Sequence, residues 1–355
     1  MGKQLYYKDK PVFGFDIGHT SLKIMQLDRK KKGVSVDGYG TISFDPSAIE
    51  KGVITDPEII IKAAYTLLEE QLIGKITTSR VAVSLPNAFS FNRILTLPKL
   101  SNADLAKAVE LETSQSIPLP LDDLYYDYEV MASLNEETVE VRLVACPKTI
   151  IDSYMTVFDA LGLEVALIES NINAVTRMVT HTETHDIVTL IVDFGSTACD
   201  LSIFDGTTIR VTSTVDCSGE TITQLIAKKL NVTVQQAQSI KTRYGIDMSK
   251  KQALILDAVE PELNKLTSEI RKVVRYFSER NKSNKAIGQI IILGGGANLP
   301  GLNSYITDKT RIPTRLCAPW KNLSFGKLQP PHELETTLYT TAGGLGLVTV
   351  GDLST

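Results

Sequence analysis

Two short acidic turns, 177 residues apart, constrain this chain more than any other feature. Laid over itself at that offset, the chain places Asp16, Gly18 and Thr20 on Asp193, Gly195 and Thr197. Each turn closes one apolar run and opens another. Residues 12–16, 21–27 and 34–39 read as a three-strand meander, with the charged residues 29–32 and Gly33 at its second turn. Residues 187–193, 198–204 and 207–214 read as another, with Asp205-Gly206 as a hairpin turn. Internal repetition takes precedence over any other indication of fold. Here it predicts two homologous lobes facing each other across a cleft. At 355 residues the chain also exceeds the ~250–300 at which one core stops growing.

A tight turn of small residues exposes backbone N–H groups that form a concave anion site. Thr20, Ser21, Ser196 and Thr197 add hydroxyls of little bulk. Asp16 and Asp193 end buried strands and would repel a phosphate directly. They suit a hydrated Mg²⁺, which keeps its waters and needs few carboxylates. Asp-x-Gly alone is what any hairpin turn uses; the pair in register is what points to a polyphosphate and its metal.

A third element is Leu293-Gly294-Gly295-Gly296-Ala297-Asn298-Leu299-Pro300-Gly301, directly after an apolar run. Gly294, Gly295 and Gly296 let backbone approach a flat ligand, and Asn298 is placed to begin a helix. No Gly-Lys-Ser/Thr follows, so this is not a P-loop. The acidic residue that a dinucleotide fingerprint carries ~20 positions on is missing as well.

Between the meanders, Asp56 and Pro57 mark the start of a helix, followed by a short strand at 81–85. Residues 91–162 differ in character. A strand, a helix near Ser101, the turn-rich Ile117-Pro118-Leu119-Pro120-Leu121, two strands and a helix at 148–161 read as an α+β insertion. The expected organisation is a first lobe of residues 1–90 and 163–186, the insertion at 91–162, and a second lobe at 187–355. Helices are expected at 221–230, 234–244, 261–280 and 338–345.

Composition narrows the function classes. A formal net charge of −4 gives nucleic-acid binding no electrostatic support. No apolar run approaches the ~20 residues of a membrane span, and the polar N-terminus lacks a secretion signal. Cys146, Cys199, Cys217 and Cys317 are scattered, without a zinc or disulfide pattern. A cytoplasmic protein is expected.

Several segments resemble the actin, Hsp70 and sugar-kinase superfamily. Phe15-Asp16-Ile17-Gly18-His19-Thr20-Ser21-Leu22-Lys23 looks like its first phosphate motif, and Val192-Asp193-Phe194-Gly195-Ser196-Thr197-Ala198-Cys199-Asp200 like its second. The Gly294–Gly296 region looks like the adenosine motif. Ile168-Glu169-Ser170-Asn171-Ile172-Asn173-Ala174 and the stretch around Ala342-Gly343-Gly344 look like its two connecting helices. Within the superfamily the chain resembles the PilM family of type IV pilus assembly, itself similar to the division protein FtsA. Glu110-Leu111-Glu112, Asp122-Asp123, Tyr126-Asp127-Tyr128 and Ala145-Cys146-Pro147-Lys148 carry that likeness in the insertion. Cys217-Ser218-Gly219 departs from the family, which more often has two glycines.

The resemblance implies an α/β, actin-like (ribonuclease H-like) two-lobed ATPase fold with an FtsA/PilM-type insertion. It implies ATP or ADP with Mg²⁺, the metal held by Asp16 and Asp193 through water. Gly18, His19, Thr20, Ser21, Lys23, Gly195, Ser196 and Thr197 would surround the phosphates. Gly219, Glu220 and Lys241 would border ribose and adenine, with Gly294–Gly296 and Asn298 at the base. Glu169 and Asp193 would orient a water or the metal shell. The implied partner is the cytoplasmic N-terminal peptide of a PilN-like inner-membrane protein, which would bring this chain to the membrane without inserting it. Self-association is compatible with such a fold.

A kinase of the superfamily needs an acceptor site with a general base, and no further acidic motif supplies one. At most slow ATP hydrolysis is expected. An FtsA-like division role is the alternative. FtsA ends in an amphipathic membrane helix, whereas residues 348–355 form a short tail with no basic face.

Overall fold

The computed structural model describes residues 10–30, 33–133, 137–183, 187–247, 252–281, 285–349 and 351–353. The polar N-terminal stretch before Lys10, the tip of the first meander's second turn and the last two residues lie outside them.

In the first lobe, β1 (Phe13–Ile17), β2 (Ser21–Lys30) and β3 (Gly33–Ser43) form the expected antiparallel meander. Helix α1 (Pro57–Glu70) starts with Pro57 at its first position and buries Ile60, Ala63, Ala64 and Leu67, the spacing of one helical face. Asp56 occupies the cap position without a side-chain cap bond. Strand β4 (Arg80–Leu85) is buried throughout, as befits a strand pairing in parallel inside a sheet; it lies beside β1.

The insertion opens with β5 (Phe91–Pro98) and α2 (Asn102–Ser116), whose N-terminus is capped by the Ser101 hydroxyl accepting from Asp104 N–H. Strands β6 (Leu124–Ser133) and β7 (Thr138–Pro147) complete a three-stranded sheet in the order β5-β7-β6. Leu105 and Val109 of α2 pack on Leu95, Leu97, Val139, Val141 and Leu143 of that sheet.

Helix α3 (Lys148–Ala160) follows β7 without a loop. The sequence groups it with the insertion, but its apolar face lies elsewhere. Ile150, Tyr154, Val157 and Phe158 share one buried cluster with Phe13 and Phe15, and Phe158 meets Phe15 edge-on with ring centroids 5.2 Å apart. The small insertion core has no room for such a stripe, whereas the first lobe's sheet does. Strand β8 (Glu164–Ser170) then pairs in parallel with β4, and α4 (Asn171–Thr182) leads towards the second lobe.

The second lobe repeats the plan. It comprises β9 (Thr189–Phe194), β10 (Cys199–Phe204), β11 (Ile209–Val215), α5 (Gly219–Leu230), α6 (Val234–Tyr244), α7 (Gln252–Arg280), β12 (Gln289–Leu293), α8 (Leu302–Thr310) and β13 (Thr314–Leu316). Its strand order, β11-β10-β9-β12-β13, matches the β3-β2-β1-β4-β8 order of the first lobe. The match extends to register: Asp16 lies opposite Lys23, and Asp193 opposite Asp200.

Three expectations are corrected. Helix α7 does not begin at Pro261 but runs from Gln252 through it, because buried Ile255 and Val259 extend the apolar stripe of Leu263, Leu266, Ile270, Val273 and Phe277. That burial outweighs the hydrogen bond that an interior proline forgoes. The expected final helix divides into a 3₁₀ turn (Glu333–Tyr339) and α9 (Thr340–Gly346). Asn298 begins no helix. It ends a 3₁₀ turn, Gly295–Asn298, and α8 starts beyond Gly301.

Helices α4 and α9 cross between the two sheets. A β-carbon built on Gly344 would lie 1.8 Å from the Ala174 carbonyl oxygen, so only glycine admits this approach. Gly344→Ala is therefore expected to destabilise the protein by about 1–3 kcal/mol as the crossing is forced apart, read as a lowered urea midpoint.

Candidate functional site

The two meanders meet tip to tip, and their turns are built alike. Gly18 N–H donates to Ser21 O at 3.0 Å, and Gly195 N–H to Ala198 O at 2.9 Å, the same bond at the same offset. The second turn is fastened to the start of α5, where Gly219 N–H donates to Gly195 O and Glu220 N–H to Ser196 O, both at 3.0 Å. Ser218 caps α5 through its hydroxyl, which accepts from Thr221 N–H at 3.1 Å.

Between the lobes lies a cleft of about 930 Å³. Asp16, Gly18, His19, Thr20, Ser21, Lys23, Asp193, Gly195, Ser196, Thr197, Gly219, Glu220, Lys241, Gly294, Gly295 and Gly296 all line it. Residues as far as 280 positions apart, Asp16 and Gly296, thus converge on one space. Asn298 does not line it; its amide donates instead to the Leu334 carbonyl.

Carboxylates dominate the floor. Lys23 donates to Asp16 Oδ2 at 3.2 Å, and Ser84 Oγ donates to Asp16 Oδ1 at 2.8 Å. Burial pushes the Asp193 carboxyl up to about 7, helped by Asp200 and then Asp16, with Lys23 opposing. The Asp200 carboxyl is raised too, first by burial, although Thr214, Asn171 and Asn87 donate hydrogen bonds that lower it. Three carboxylates thus face a single ammonium, a charge balance that a divalent cation would correct. Among the described residues no cluster of three or more His, Cys, Asp and Glu could hold a metal directly. The arrangement therefore fits an ion that keeps its waters and takes its remaining ligands from a bound anion.

The other end of the cleft is less charged. Lys241 Nζ donates to Gly219 O and Thr223 Oγ1, both at 2.8 Å. Burial lowers its ammonium to about 8, against the pull of Glu220. Gly294 adopts φ +82°, and a β-carbon there would sit 2.5 Å from Asp193 Oδ1. A glycine at that positive φ lets the third element close on the second turn.

Several residues at the site are not among those singled out from the sequence, although Asn171 lies within the connecting-helix segment. Ser84, Tyr154, Asn171, Thr223 and Gln238 line the cleft, and Asn87 joins Asn171 in bridging the lobes. Asn171 Nδ2 donates to Asp200 Oδ2 at 3.1 Å, and Asn87 Nδ2 to Thr214 Oγ1 at 3.2 Å. Asp200 had a signal available, because it stands 177 residues beyond Lys23.

Comparison with known proteins supplies the family. The family described as type IV pilus assembly protein PilM matches residues 14–350. The chain belongs to the PilM family. Its fold is actin-like. A chain of a PilM–PilN type IV pilus biogenesis complex superposes with a TM-score of 0.83 at 23% identity, covering 96% of this chain and 98% of that one. MreB 5 of Spiroplasma citri bound to AMPPNP superposes with a TM-score of 0.55 at 12% identity, over 94% of each chain. FtsA of Pseudomonas aeruginosa is 23% identical over 359 residues, 88% of this chain and 84% of that protein.

As with Asn298, the resemblance and the structure differ over Glu169. Glu169, implied as a water- or metal-orienting group, does not line the cleft. It sits at the end of β8, where Arg177 grips it with two hydrogen bonds of 2.6 and 2.9 Å and also donates to Gly344 O at 3.0 Å. Burial holds the Glu169 carboxyl above its ordinary range despite that guanidinium; Asp352 adds to the rise and Arg142 opposes it. The pair ties β8 and α4 to α9, which is a structural task.

Removing Arg177 would leave a buried, unpaired carboxylate. Arg177→Met is expected to cost about 3 kcal/mol. The carboxyl's folded-state pKa would then rise further above its unfolded value, so the unfolded chain would release the proton first. Stability should accordingly fall as pH rises above the ordinary glutamate range. Urea unfolding at about pH 5 and about pH 8 should show the larger loss at the higher pH.

Proposed function

We propose that this chain is an ATP-binding, actin-like scaffold of type IV pilus or related secretion or competence assembly. It works in the cytoplasm and docks the N-terminal tail of a PilN-like inner-membrane protein. The observation that carries this reading is the family match across nearly the whole chain, joined to a cleft in which two equivalent turns face each other. The PilM–PilN complex among the structural neighbours supports the choice of partner, and the AMPPNP-bound MreB 5 supports the choice of ligand. Among the described residues no helix is long and apolar enough to cross a membrane, so the partner is assigned the membrane contact.

In this reading the backbone N–H groups and hydroxyls of both turns bind the phosphates. Asp16 and Asp193 hold hydrated Mg²⁺, which neutralises phosphate charge when bound. Lys23 keeps Asp16 oriented through their ion pair and adds positive charge beside the phosphates. Gly219, Glu220 and Lys241 border the sugar and base, and Gly294–Gly296 present flat backbone to the base. With Glu169 committed to Arg177, the cleft offers Asp193 as the carboxylate placed to orient a water. That suits retention or slow hydrolysis of ATP better than rapid turnover.

Calorimetry with MgATP is the direct test. Asp16→Ala and Asp193→Ala should each weaken binding by about 1.5–3 kcal/mol, roughly tenfold or more. Unchanged binding in both variants would defeat the nucleotide reading. Separately, a synthetic peptide of the PilN-like cytoplasmic N-terminus should be retained by the immobilised protein. Failure with ATP, with ADP and without nucleotide would defeat the scaffold reading.

A further inference from the structure

Among the described residues, three that are not glycine adopt positive φ: Lys51, Asn231 and Arg311. Asn231 and Arg311 end helices α5 and α8, where the left-handed conformation is ordinary. Lys51 ends no helix. With φ +49°, and Gly52 beside it at φ +83°, it forms the two-residue tip of a hairpin between Ile49–Glu50 and Val53–Ile54. Such a tip needs positive φ at both positions, which Asn-Gly or Gly-Gly supplies with little strain. Turn chemistry therefore does not ask for a lysine here. Packing does not ask for one either, because the residue is exposed.

The hairpin holds this strained tip in place. Ile49 and Ile54 are buried in the first lobe's cluster, and Ile54 N–H donates to Ser153 Oγ of α3 at 3.1 Å. A β-carbon on Gly52 would lie 2.5 Å from the Phe89 ring. The tip belongs to the cleft wall, where Lys51 and Gly52 share one cavity with both acidic turns. Three lysines line that cavity. Lys23 is committed to Asp16, and Lys241 to Gly219 O and Thr223 Oγ1. The Lys51 side chain has no hydrogen bond or ion pair among the described residues. Strain kept at a cavity wall points to a role for the residue that bears it.

We propose that the Lys51 ammonium pairs with the phosphate chain of the nucleotide bound in the cleft. The proposal rests on the nucleotide reading above. Phosphates are the anionic groups that such a ligand brings, and a flexible ammonium is a point-charge partner for them. Its charge adds to the backbone N–H groups and hydroxyls of the two turns, from a third element that carries no phosphate motif.

Two variants separate the charge from the backbone. Lys51→Met keeps a long side chain and the strained φ but removes the charge. Lys51→Gly removes the side chain and relieves the strain, so its thermal midpoint should match or exceed that of the parent. Calorimetry with a non-hydrolysable ATP analogue and Mg²⁺ should show both variants binding about fivefold more weakly, with the gap narrowing in about 0.5 M salt. A loss confined to one variant, a loss that salt leaves unchanged, or no loss in either overturns the assignment of Lys51 and leaves the nucleotide reading in place. A parent protein that does not bind the analogue overturns both.

Discussion

Everything in the cleft depends on how closely α4 and α9 approach. Their crossing, with Gly344 against the Ala174 carbonyl, sets the separation of the two sheets and hence of the turns at their tips. Each turn is closed by one backbone hydrogen bond of its own. The cleft between them, however, needs both at once. The Arg177–Glu169 pair and the bond from Arg177 to Gly344 O secure the same crossing from the side. Residues outside the cleft therefore decide whether the cleft-lining residues converge.

Duplication gave the lobes one backbone plan, and divergence gave them opposite charges. At the register position facing the turn aspartate, the first lobe carries Lys23 and the second Asp200. Lys23 neutralises Asp16 within its own lobe. Asp200 instead raises Asp193 and spends its own acceptor capacity on Thr214 and Asn171. The surplus of negative charge is thereby placed on one side of the cleft, where a cation gains most. The same substitution turns Asp200 into an anchor between lobes, since Asn171 belongs to α4 at the end of the first.

The architecture was legible because it is repeated: the offset between Asp16 and Asp193 announced two lobes, and the strand order bears that out. Sixteen of the residues expected at the cleft reach it, since their motifs are local turns whose backbone geometry is written in glycine and small polar residues. Glu169 and Asn298 do not. Each was placed by its position within a motif, but the direction of a side chain depends on which partner it finds, and Arg177 and Leu334 come from elsewhere. Helix α3 followed its sequence neighbours into the insertion on paper, while its apolar stripe found β1 in space. Tyr154 was invisible for a similar reason, because one tyrosine on an apolar helix face reads as ordinary core.

Arg210 on β11 holds Glu140 on β7 at 2.9 Å and Asp205 in its own lobe. The insertion is consequently harnessed at two points: rooted in the first lobe through α3, and moored to the second by an ion pair. A body held this way cannot stay neutral to a rotation of one lobe on the other. Either the Arg210–Glu140 pair would break or the small sheet would tilt with the second lobe.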